Sequence, residues 1–121
     1  MAHDLKKPLE VYGTQARMAY AVFTTAGSSD PTVLMSHGIR TITRSATGTI
    51  LLTMKHAPIG TYYVVTVGKE FTTDAQSVVI TAQSASAKTI TLKTVTAASA
   101  NTAVDTTGMN IHVQIMVRMA A

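Results

Sequence analysis

Short runs of β-branched and apolar residues alternate along the chain with clusters of turn-forming residues. Residues 110–119 show the cleanest pattern. Ile111, Val113, Ile115, Val117 and Met119 fall on one side, and His112, Gln114 and Arg118 on the other, with Met116 the exception. Period-two alternation of this kind predicts a strand with one buried face. The same reading assigns Ile50, Leu52 and Met54 of residues 49–54 to a core, and puts Ile90 and Leu92 of residues 89–96 on one face with Thr89, Thr91 and Lys93 on the other.

The central stretch, 38–68, holds three β-rich runs separated by two turn signals. Gly48 ends the first turn, and Pro58 and Gly60 mark the second, so an antiparallel meander is predicted. Residues 62–67 are almost continuously apolar, which predicts a central strand buried on both sides. Residues 17–25 form a first strand whose two faces are both largely apolar, and 26–31 a loop. Residues 77–83 and 89–96 pair as a hairpin, and the aperiodic 97–108 is a surface loop or a crossover between sheets. A helix is not expected: even 97–103, rich in helix formers, carries no apolar stripe. About eight short strands at this spacing indicate an all-β protein, an antiparallel β-sandwich of jelly-roll-like type. The sandwich spans residues 17–121. Residues 1–16 read as an extended N-terminal arm, because Pro8 and Gly13 oppose a helix, and Leu9, Val11 and Tyr12 give it a few apolar anchors.

Composition sharpens this picture. One modest domain fits 121 residues, of which 46% are hydrophobic and only 13% charged. The surface must therefore be covered largely by Thr, Ser, Ala and Gln, and a surface poor in Lys and Glu suits contact with other proteins. The formal net charge is +4, a mild pointer to an acidic partner. With no cysteine, disulfides and thiolate metal sites are excluded. No apolar run has the length of a membrane helix, and the polar N-terminus does not resemble a signal peptide, so synthesis in the cytoplasm and no membrane partner are expected.

The run from Ile39 through Arg40, Arg44, Gly48, Pro58 and Tyr62-Tyr63 to Val67, followed by a hairpin and the alternating strand at 111–118, resembles the small β-sandwich modules of tailed-bacteriophage virions. The resemblance covers roughly residues 33–119, with one glycine in the first turn where two are common. It implies a virion protein, commonly a homotrimer, placed on the capsid surface or at a tail-fibre tip. The chain shows no heptads, Gly-x-y repeat or other stem-like repeat. A capsid decoration (cement) protein bound to the major capsid protein is therefore the expected function. A receptor- or glycan-binding fibre tip is the alternative.

Reactive chemistry is sparse. His3, His37, His56 and His112 are far apart in sequence and form no ligand-spaced pair, so no metal and no other cofactor is expected. Asp4, Glu10, Asp30, Glu70, Asp74 and Asp105 fall in the arm or in loops, with Glu70 and Asp74 the nearest pair; solvated loop charges explain them better than a hydrolytic pair. P-loop and Gly-x-Ser-x-Gly motifs are missing, and 5% aromatics is too few for a nucleic-acid surface. A non-enzymatic protein is expected. Its candidate partner contacts are Leu9, Val11 and Tyr12 of the arm, Arg40 and Arg44 as an interfacial rim, and Met116, the apolar break on the polar side of the last strand. The four tyrosines are assigned to core or arm.

Overall fold

The computed structural model describes residues 10–11, 14–58, 62–70, 76–96 and 102–118. The described residues form strands and turns, with no helix. The strands are β1 (Glu10–Val11), β2 (Thr14–Ala26), β3 (Ser29–His37), β4 (Ile39–Ala46), β5 (Thr49–Met54), β6 (Val64–Lys69), β7 (Gln76–Ser84), β8 (Thr89–Thr96) and β9 (Thr107–Arg118). All pairings are antiparallel. One sheet runs β2-β9-β6, with β3 and the two-residue β1 both pairing with β2; the other runs β4-β5-β8-β7. The two sheets pack as a β-sandwich. The first long strand and the last lie side by side within one sheet, as in a jelly roll. β2–β3, β4–β5 and β7–β8 instead stay together as hairpins.

Inward positions of both sheets interdigitate as one core. Ala19, Ala21 and Phe23 of β2 and Ile111, Val113, Ile115 and Val117 of β9 face Ile50, Leu52 and Met54 of β5 and Ile90 and Leu92 of β8. The alternation in β5, β8 and β9 thus predicts the core correctly. Burial of these side chains, roughly 1.5–3 kcal/mol for each one larger than alanine, is the main force holding the sheets together.

Several expectations change. The stretch 38–68 is not a meander: β4 and β5 pair, but the next strand crosses to the other sheet. The β6 strand is an edge, paired only with β9, and its Val64 is 65% exposed. The apolar run that suggested double-sided burial instead leaves one face bare. β2 also buries only one face, since Met18 and Tyr20 remain exposed. The expected loop at 26–31 is a tight turn at Gly27-Ser28, and β3 is a full nine-residue strand. Of the aperiodic 97–108, residues 102–106 lead across to the other sheet, 107–108 open β9, and 97–101 lie outside the described residues. β2 begins at Thr14, so residues 14–16 belong to the first long strand. Glu10 and Val11 fold back to pair with Gln15 and Thr14. The rest of the expected arm, Leu9 and Tyr12 included, lies outside the described residues, as does Met119.

Two glycines carry the corners. Gly38, at φ +77°, turns the chain from β3 into β4, and a Cβ there would stand 2.9 Å from the Ala19 side chain. Gly48, at φ +62°, closes the β4–β5 hairpin against the crossover. A Cβ there would lie 2.6 Å from the Val104 nitrogen.

Candidate functional site

The outward face of the β3-β2-β9-β6 sheet is the feature that most departs from an ordinary soluble surface. Strand register places its residues in rows. Val64, Met116 and Met18 form one row; Thr66, Gln114, Tyr20 and His37 the next; Gly68, His112, Val22 and Met35 the third. In the first row everything is apolar, and Val22 and Met35 extend the patch toward β3. The bulge in β3 leaves Leu34 58% exposed; Val33, also exposed, is paired with the inward-facing Phe23 at the sheet edge. Tyr62, just before β6, is 72% exposed. The Tyr20 and His37 rings stack, centroids 5.5 Å apart and planes 24° from parallel, which stiffens the centre of the face. Without a side chain at Gly68, a concavity of ≈ 380 Å³ opens beside Tyr20, Val22, Thr66, His112 and Gln114.

By contrast, the outward face of the other sheet is dressed in threonine. Register puts Thr41 beside Thr53 and Thr89, and Thr43 beside Leu51 and Thr91. Over β4, β5 and β8 hydroxyls meet water, with exposed Val79 and Ile80 confined to the edge strand β7, whereas thioethers and aliphatic groups meet it across the first sheet. Flexible methionines suit a surface that adapts to a partner.

The remaining polar side chains mostly build the scaffold. Arg44 clamps Asp105: Nε donates to Oδ1 at 2.9 Å and Nη2 to Oδ2 at 2.8 Å. The Gly48 N–H donates to the same carboxylate at 2.7 Å. Hydrogen bonds from Arg44, and then from Gly48, hold the Asp105 carboxyl below its usual range, and the Asp105 hydrogen bond raises the Arg44 guanidinium further. Asp30 accepts the Arg44 backbone N–H at 2.9 Å. Glu70, just past β6, accepts from Asn110 Nδ2 at 3.0 Å and lies 2.9 Å from His112 Nε2; these contacts, Asn110 first, lower its carboxyl. Tyr63 is buried, which raises its hydroxyl, and that hydroxyl donates to the His56 carbonyl at 2.6 Å.

Met116 sits within the apolar face, between Met18 and Val64. Arg40 is exposed but belongs to the other sheet. Arg44, expected at an interfacial rim, is instead committed to an internal ion pair, because the crossover brings Asp105 against the β4–β5 turn. Val11 pairs with Thr14. The sequence-derived contact set is therefore not one surface. Tyr20 and Tyr62, assigned to core or arm, are exposed; of the described tyrosines only Tyr63 is buried. Met18, Met35 and Val64 are exposed, and the signal that brings them together is strand register, which sequence periodicity does not supply. Glu70 and Asp105 are scaffold acids, each held by its own donors, and Asp74 lies outside the described residues. Among the described residues, no group of three His, Asp or Glu side chains is arranged to hold a metal.

The chain matches no protein-family model, no curated protein and no solved structure.

Proposed function

We propose that the protein is a structural, non-enzymatic component of a bacteriophage virion, a capsid decoration protein that grips the assembled shell through the outward face of the β3-β2-β9-β6 sheet. The observation that carries this reading is the contiguous outward row Val64–Met116–Met18, exposed at Val64 and Met18 and half-buried at Met116, with its extension through Tyr20, Val22 and Met35. From strand spacing and rise, the face measures roughly 400 Å². Thr66, Gln114 and His112 occupy part of it, so its apolar share is smaller. The whole face is about half of the ~800 Å² each partner contributes to a stable pair. One copy then holds weakly, and several copies acting together, as in a homotrimer on a symmetric lattice, hold firmly. Binding to the shell alone stabilises it by mass action, with no chemical step.

The test is attachment to purified capsids. A Met18→Glu, Val64→Glu double variant changes only exposed positions, so it should fold normally yet lose capsid occupancy, while Val79→Glu on the other sheet should retain it. Full occupancy by the double variant would remove the proposal's basis. Deletion of residues 1–9 spares β1 and β2, and reduced capsid occupancy by that variant would assign those residues a share of the attachment.

The exposed Tyr62 and the Tyr20–His37 stack favour one second reading, a fibre-tip module that recognises a host glycan or protein through aromatic platforms. Binding of the isolated protein to host cells, abolished by Tyr62→Ala, would select it over capsid decoration.

A further inference from the structure

The end of the sandwich where Gly38 turns the chain carries a different kind of surface. Between the two sheets, Arg17, His37, Lys55 and His56 line a pocket of ≈ 200 Å³, floored by the buried Ala19 and Val117. Its rim is fixed by backbone: the Lys55 N–H donates to the Gly38 carbonyl at 3.2 Å, and Tyr63 anchors the His56 carbonyl.

Register shows that charge is sorted along the molecule. Arg40 follows Ile39, the partner of Met54, and the Lys88 carbonyl accepts the Met54 N–H, so both stand at the Gly38 end. The acids whose side chains are described, Asp30, Glu70 and Asp105, stand at the opposite end. Arg44, Lys69 and Lys93 balance them there. The positive excess of the described side chains is thus concentrated around the pocket. Among the described residues the ion pairs are Arg44–Asp105 and His112–Glu70, and neither Arg17 nor Lys55 has a carboxylate partner.

We infer that this pocket receives a side-chain carboxylate from a polypeptide partner. Two cations and two imidazoles around a hollow with no acid among its described lining residues complement an anion. The volume lies below that of small-molecule sites, which run from roughly 300 Å³, and suits one side chain. Met18 lines the pocket and also begins the apolar outer face, so an aliphatic neighbour of the inserted acid has a place to rest. Phenylalanine, tyrosine and tryptophan are absent from the described lining, so the large aromatic platforms of single-strand nucleic-acid sites are not found there. The inference holds for whichever protein supplies the acid and does not depend on the capsid reading.

Amide resonances of the isotopically labelled protein test it. Titration with acetyl-Leu-Glu-Leu-amide should shift Gly38, Lys55 and His56 saturably and leave the β7–β8 hairpin unmoved. The Gln isostere should bind at least about fivefold more weakly, and an Arg17→Gln, Lys55→Gln variant should lose about tenfold. Lys55→Gln alone, at an exposed position, serves if the double variant is misfolded. Equal binding of the Glu and Gln peptides overturns the inference. So does inorganic phosphate matching the peptide, which marks a bare anion site, or tighter binding of a ten-residue oligothymidylate, which marks a nucleic-acid surface.

Discussion

Asp105 receives three hydrogen bonds, two from Arg44 and one from the Gly48 N–H, and so ties the crossover to the β4–β5 turn. Because folding lowers its pKa from an ordinary value near 3.8, its contribution to stability is complete above that value and is lost as pH falls through the folded one. Glu70 acts in the same direction from 4.5. The melting temperature should therefore be steady above about pH 5 and decline in acid below about pH 4. Asp105→Asn should lower it at pH 7 and flatten the acid limb, measured by circular dichroism across pH. Gly48 has no tolerance for a side chain, since φ is positive and the Val104 backbone occupies the space. Gly48→Ala should cost about 3 kcal/mol or more, a fall of roughly 10 °C in Tm.

Among the elements, β9, β5 and β8 are legible in the sequence because each has one dry and one wet face, and alternation records that difference directly. β6 is misread for a physical reason: Val64, Val65 and Val67 satisfy the same apolar pattern whether the strand is central or is an edge with an exposed apolar face. The Arg44–Asp105 pair spans 61 residues of sequence, so neither partner announces the other. The apolar face and the basic pocket share that invisibility, since both are created by register between distant strands. One side chain joins the two sheets near β6: the Gln83 carboxamide accepts the Tyr63 N–H at 2.8 Å and donates to the Tyr63 carbonyl at 3.3 Å. Gln83→Ala leaves both backbone groups unpaired in a part-buried setting. It should cost about 1–3 kcal/mol, read as a lower urea midpoint at unchanged m-value.

At the scale of the whole molecule, the two proposed contact surfaces differ in physical character and so in their response to salt. The outer face is almost uncharged, and attachment through it should change little between 50 and 500 mM salt. A carboxylate in the basic pocket should bind markedly less well over the same range, because the Debye length falls from about 14 to about 4 Å. Isothermal titration at the two salt concentrations separates them.

The ladder between β2 and β9 also governs how the fold can be reached. It joins Ala16 to Arg118, so the sheet that bears the sticky face has no central pair until Thr107–Arg118 has emerged from the ribosome. Until then β2 presents an unzipped edge to its surroundings. Such long-range closure is slow, on the order of milliseconds to seconds. Nascent copies crowded on one messenger therefore have time to trade strands, and expression at lower temperature should raise the soluble yield.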